Sequence, residues 1–332
     1  MIWLVAGVVI VALGAVAALV GMYVATGGDD DVPPTVDDDP SLPRVIIDGH
    51  AFHAETHGDP GARVLLVLHG GPGADYRSLE ALSRLADSHR VVFFDQRGAG
   101  LSGRVPADQL TFESAVEDVH RFVERFGRGE PVDLVGHSWG GTLAAAYLAR
   151  ATGLVRRAVL AEPGYLSADE LRAWRTRYRS LMSGPGYLWL AAKAGFEAQH
   201  IDGPDDHAAK DFLVGERIIP FFVSHPDNPY RCPATTYDAP RWRWGSAASD
   251  VLGGPELEAP LDRIRATASS VVTPILFLAG ACDTWIGPEL QRRHASWYPD
   301  ARLGVIDHAG HDIFWDQPDA SIEATRAFLA AL

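Results

Sequence analysis

The sequence predicts an α/β fold, a mainly parallel sheet flanked by helices, with an inserted helical cap and an N-terminal transmembrane helix. Three observations predict it. From Arg44 onward, short β-branched or apolar runs alternate with longer amphipathic stretches, the pattern of strands joined by crossover helices. Between residues 164 and 265 that rhythm gives way to a segment rich in Arg, Trp, Tyr and Pro. Residues 1–28 carry no charged side chain. The expected organisation is an anchor over residues 1–26, a disordered acidic linker over 27–43, a core in two parts, 44–163 and 266–332, and the cap over 164–265.

Residues 2–25 would span about 36 Å as a helix at ~1.5 Å per residue, enough to cross a bilayer core of roughly 30 Å. No Lys or Arg precedes the apolar run and no small-residue cleavage site closes it, so it reads as an uncleaved anchor rather than a removed signal. The next basic residue is Arg44, which leaves the positive-inside rule little to act on. The expected arrangement is a short N-terminal tail with the catalytic domain outside the cytoplasm. Aspartates 29–31 and 37–39, mixed with prolines, read as an unstructured tether.

The strands are expected at residues 45–47, 51–56, 64–68, 91–94, 132–135, 158–161, 275–278 and 303–306. The first two form an antiparallel hairpin about Asp48-Gly49, a dipeptide suited to a two-residue turn. Helices are expected at 76–87, 112–126, 142–151, 288–297 and 318–331. A formal net charge of -14 excludes nucleic acid as a partner, because phosphate binding needs a basic surface. The two cysteines, Cys232 and Cys282, are too few for a disulfide scaffold and lack metal-ligand spacing. They read as two small buried apolar residues, with one bridge open to them if the domain lies in an oxidising compartment.

The chemistry centres on Val132 to Gly141, VDLVGHSWGG, where Gly136 and Gly140 frame Ser138 as G-x-S-x-G. A serine pushed out between a strand end and a helix start needs backbone angles that only small neighbours tolerate. Acyl transfer by that serine also needs a base, an acid to hold the base, and donors for the oxyanion. In the α/β-hydrolase fold these follow in the order Ser, Asp or Glu, His. Asp283 lies just past the strand at 275–278, and His311 follows the strand at 303–306, with His308 the second candidate. The expected catalytic set is therefore Ser138, Asp283 and His311. The backbone N–H of Trp139, next to the nucleophile, and that of Gly71, in the His69–Gly73 turn, are the expected oxyanion donors. No cofactor or metal is called for.

HGGPG at 69–73, DQRGAGLS at 95–102, GHSWGG at 136–141 and GHD at 310–312 resemble the proline iminopeptidase group of serine peptidases. The resemblance implies a helical cap and release of an N-terminal proline, or sometimes another residue, from a short peptide. It also implies acidic cap residues that hold the substrate's amine, one of them after a W-x-x-W segment. Here the comparable stretch reads Trp242-Arg243-Trp244-Gly245-Ser246, without that glutamate. Glu162, Glu197, Glu216 and Asp250 are the candidate replacements, with Trp242 and Trp244 as candidate pocket walls. Asp95 and Arg97 are expected to brace the loops as a buried charge pair. A carboxylesterase or amide hydrolase with the same triad is the alternative activity. A serine nucleophile argues against the aspartate-dependent dehalogenases and epoxide hydrolases.

Overall fold

The computed structural model describes residues 2–28, 30–150, 153–233 and 238–331. Eight strands form one sheet: β1 Arg44–Ile47, β2 His50–His57, β3 Val64–Leu68, β4 Arg90–Phe94, β5 Val132–His137, β6 Val155–Ala161, β7 Ile275–Gly280 and β8 Ala301–Ile306. They are arranged β1-β2-β4-β3-β5-β6-β7-β8, with β1–β2 and β2–β4 antiparallel and every later pair parallel. The β1–β2 hairpin turns at Asp48 and Gly49, both at positive φ. This is the mirror-image turn whose twist matches paired strands.

Along β3 all five residues are buried, and their side chains alternate between two apolar clusters, one on each face of the sheet. A strand covered on both sides shows a continuous apolar run rather than an alternating one, which is why VLLVL was legible as a central strand. One face is covered by α2 (Phe112–Gly127) and α3 (Trp139–Arg150), the other by a 3-10 helix, Arg77–Asp87, and two C-terminal helices described below. The α3 helix begins directly after Ser138, three residues earlier than the expected 142.

The cap contributes α4 (Ala168–Leu181), α5 (Gly184–Glu197), α6 (Ala208–Phe212), a π-helical turn Leu213–Ile218, α7 (Ile219–Ser224) and α8 (Ser246–Leu252). The next helix, α9 (Glu258–Thr267), packs on α3 and buries Leu261 and Ile264 in the core, so it crosses the expected boundary at 265. Then come α10 (Pro288–Ala295), α11 (Ile313–Asp316) and α12 (Pro318–Ala330). Ala151, the expected end of one helix, lies outside the described residues.

At the N-terminus α1 (Ile2–Ala25) is long and apolar enough to cross a membrane and is exposed along most of its length. Its last turn meets the cap: His200 Nε2 is 2.8 Å from the Tyr23 carbonyl, and Thr26 is buried. The segment after it corrects the expectation of a disordered linker. Thr35 and Val36 are buried, the Val36 N–H donates to the Leu101 carbonyl at 2.8 Å, and the Pro33 carbonyl accepts from Arg243. Arg243 is itself buried between Asp205 and Asp211, which also holds Arg104 and Ser246. Burial of two residues and hydrogen bonds of the backbone to Leu101 and Arg243 outweigh an acidic, proline-rich composition.

Candidate active site

The carboxyl ends of β5, β6 and β7 lie side by side in the sheet, and the site is built there. Ser138 follows β5 at φ +53°, half-buried, with its N–H donating to the Ala161 carbonyl at 2.8 Å. A left-handed backbone at a serine is uncommon and marks an imposed turn. The flanking glycines are required by close approach. A Cβ on Gly136 would lie 2.3 Å from the Gly140 carbonyl oxygen, and one on Gly140 would lie 2.1 Å from that of Leu68.

A cavity of about 530 Å³ opens over Ser138, and His311, Gly70, Gly71 and Trp139 line it with the serine. Gly71 sits at φ +77°, and an added Cβ would come within 3.0 Å of Trp244. The turn carrying Gly71 is held from below. His69 is buried, its Nδ1 donates to the Gly70 carbonyl at 2.9 Å, and its Nε2 accepts from the Gln96 N–H at 2.8 Å. Gln96 also donates to the His69 carbonyl and accepts from the Trp139 indole, 2.8 and 2.9 Å. One side chain thus ties the glycine turn to the serine turn.

His311 is buried, and its Nδ1 lies 2.8 Å from Glu162 Oε2 and 3.8 Å from Asp283 Oδ2. Its backbone N–H donates to the Tyr230 carbonyl, and the Tyr230 ring stacks on the imidazole at 4.4 Å between centroids. Tyr230 in turn accepts from the Trp174 indole at 2.7 Å. Behind it His137 Nε2 donates to the His311 carbonyl at 2.9 Å. Burial keeps both histidines neutral, His137 pushed down to about 4 and His311 well below its ordinary value. A neutral imidazole has one nitrogen free to accept a proton, which is what a general base requires.

The candidate amine ligands fare differently. Glu162 does not line the cavity; it is fully buried behind His311. Glu197 is held by Arg217 and Lys193, outside the cavity lining, and Glu216 pairs with Arg241 at a separate surface pocket. Asp250 does line the cavity and pairs with Lys210. Trp244 forms part of the wall, whereas Trp242 packs on Tyr76 and His53 away from it. Asp238 and Asp316, not singled out from the sequence, also reach the cavity, as do Arg175 and Arg179.

Asp95 and Arg97 do not pair with each other. Asp95 takes His53 at 2.8 Å and the N–H groups of Tyr76 and Leu101, while Arg97 forks onto Asp118 at 2.5 and 2.8 Å. The cysteines, expected as two buried thiols, are joined as Cys232–Cys282. The bridge ties the cap segment carrying Tyr230 to the loop carrying Asp283, and beside it the Thr284 N–H donates to the Pro229 carbonyl.

The family model described as alpha/beta hydrolase fold matches residues 63–318. A proline iminopeptidase of Lactobacillus delbrueckii subsp. lactis is 38% identical over 254 residues, covering 74% of this chain and 83% of that protein. One from Heyndrickxia coagulans is 26% identical over 279 residues, covering 82% and 92%. Among solved structures, a proline iminopeptidase-related protein from Thermus thermophilus superposes with a TM-score of 0.60 at 24% identity, covering 88% of this chain and 98% of that one.

Proposed function

The chain belongs to the alpha/beta hydrolase fold family as a proline iminopeptidase-like hydrolase, and we propose that it releases the N-terminal residue, proline favoured, from short peptides through an acyl-enzyme on Ser138. The observation that carries this reading is the single cavity into which Ser138, His311, Gly71 and Trp139 all open. Ser138 Oγ attacks the first peptide carbonyl while His311 takes its proton, and the Gly71 and Trp139 N–H groups hold the oxyanion. His311 then returns the proton to the leaving amine. Water, deprotonated by the same histidine, releases the acyl group and frees Ser138. The substrate's ammonium has Asp238, Asp250 and Asp316 to meet along the cavity wall.

One observation favours a second reading. No glutamate lines the cavity among the described residues, and Trp174, Tyr178, Phe222, Trp244 and Ile218 make its walls largely apolar. Such walls suit a carboxylesterase substrate with no amine to recognise. Hydrolysis of proline arylamide, its N-acetyl derivative and a p-nitrophenyl ester, by wild type and Ser138→Ala, separates the two. Turnover of the free-amine arylamide alone supports the exopeptidase. Ester turnover that ignores the amine, or arylamide turnover that survives in Ser138→Ala, overturns it.

We further propose that α1 anchors the enzyme in a membrane with the catalytic domain outside the cytoplasm. The length of α1 supports the span, and the Cys232–Cys282 bridge supports an oxidising compartment. Release of the protein from membranes by alkaline carbonate, without detergent, would count against the anchor.

A further inference from the structure

The carboxyl nearest His311 is not Asp283, the acid expected past the strand at 275–278, but Glu162, which fits the order Ser, acid, His equally. Nδ1 reaches Glu162 Oε2 at hydrogen-bond distance, 2.8 Å, whereas Asp283 Oδ2 stands at 3.8 Å, beyond it. A neutral imidazole carries a single N–H. Given to Glu162, that N–H fixes the tautomer with the Nε2 lone pair free for a proton from Ser138. The second oxygen of Glu162 accepts from the Gly280 N–H at 2.6 Å, so the carboxyl is pinned between β7 and the imidazole. Glu162 itself is the first residue past β6, at φ +48°, a left-handed conformation that a glutamate adopts only where its surroundings impose it.

Asp283 is oriented differently. Its Oδ1 accepts from the N–H groups of Trp285 and Ile286 at 2.6 and 2.9 Å. Its Oδ2 is buried and has no hydrogen-bond partner among the described residues. Ligand atoms of Glu162, Asp283 and His311 all lie within 4.8 Å of one another. Two carboxylates so close in a dry site cannot both stay ionised, and a proton held between them belongs to the pair. Burial drives both acids upward, Asp283 to about 7 and Glu162 well above its ordinary value. A proton on this pair supplies the hydrogen bond that Asp283 Oδ2 otherwise lacks.

We propose that Glu162 is the carboxyl group that orients His311, and that Asp283 is its outer partner, sharing one proton with Glu162 and holding it in place. Glu162 is thus a positioning residue for the base, and the proposal rests on Ser138 and His311 being the reacting pair. Two readouts on the full-length protein test it: the rate at which a fluorophosphonate labels Ser138, and the far-downfield proton resonance of the His311 Nδ1–H. In Glu162→Gln an amide N–H faces Nδ1 and selects the wrong tautomer. Labelling is expected to slow by about 10⁴-fold, the size seen when a triad carboxylate becomes an amide, against no more than about 10-fold for Asp283→Asn.

The amide that Asp283→Asn introduces can donate to Glu162 as the shared proton does, so the downfield resonance persists in Asp283→Asn and disappears in Glu162→Gln. The reverse ranking, or equal losses of labelling, overturns the proposal. If Glu162→Gln does not fold, Asp283→Asn alone decides: loss of its resonance overturns the proposal, and retention supports it. If wild type is not labelled at all, the reading of Ser138 fails, while the resonance still reports which carboxyl holds His311.

Discussion

Removing the Cys232–Cys282 bridge should cost both stability and activity, and the size of the first effect follows from its place in the chain. The two cysteines are 50 residues apart. Closing a loop of that length in the unfolded chain removes entropy worth about 4 kcal/mol at 25 °C. The loop includes the end of the cap and all of α9, so the constraint acts on cap and core together. At roughly 2 °C per kcal/mol for a chain of this size, Cys232→Ser/Cys282→Ser should melt about 8 °C below wild type.

The second effect is local. Tyr230 lies two residues from Cys232, stacks on His311 and accepts the His311 backbone N–H at its carbonyl, while Asp283 is the next residue after Cys282. Releasing the bridge frees both sides of the imidazole, so kcat should fall well below the melting transition. Differential scanning fluorimetry and initial rates, with the wild-type bridge verified by mass spectrometry of non-reduced peptides, provide the assay. A double variant that melts within about 2 °C of wild type would refute the loop-entropy reasoning, since that difference is worth only about 1 kcal/mol.

Three further perturbations probe how cap and loops meet around the cavity. Gln96→Leu strands the Trp139 indole and the His69 carbonyl, each a buried polar group that costs about 1–3 kcal/mol when unpaired. It should lower kcat more than it raises KM; unchanged kcat would show that the brace does not position the oxyanion donors. Gly310→Ala would bring a Cβ to 2.3 Å from the Tyr230 carbonyl, where overpacking costs about 1–3 kcal/mol. Its Tm should drop, and full wild-type stability would mean that cap and His311 loop separate freely. Burial and the neighbouring Asp95 lift Asp75 from 3.8 to about 7, so the folded protein binds that proton more tightly than the unfolded chain does. Relative to Asp75→Asn, wild-type stability should be greatest at acid pH and should decline as pH rises from about 4 through about 7. A Tm difference that stays flat or grows with pH across that range would contradict the assignment.

The parts of this molecule that could be read from the chain are those whose cause is local. The turn around Ser138 announces itself because Gly136 and Gly140 are each needed within a few residues of the serine. Strands β3 and β7 are legible because a sheet covered on both faces leaves uninterrupted apolar runs. Composition misleads where distant partners decide the outcome, as in the segment around Thr35 and Val36, whose aspartates and prolines mark it as free but which is buried and bonded to Leu101 and Arg243. Gln96 sits inside the legible motif DQRG, yet three of its hydrogen bonds reach partners 27 and 43 residues away.

Tyr230 and the cysteine bridge had no local signal, because the cap folds back on the core only after an excursion of about a hundred residues, α4 to α9. Glu162 is the instructive intermediate case. Its position was readable: an acid directly after the strand that lies between β5 and β7 must emerge at the same sheet edge as Ser138 and Asp283. Sequence alone leaves it one of four candidate acids for the substrate amine, because nothing local shows that a residue ending a strand in the sheet turns its carboxyl to His311. From β5 to β8 the sheet follows chain order, so the acid ending β6 stands one strand from the nucleophile and the acid past β7 two, and strand-end acids beside the nucleophile's strand are the residues to weigh first against a catalytic histidine.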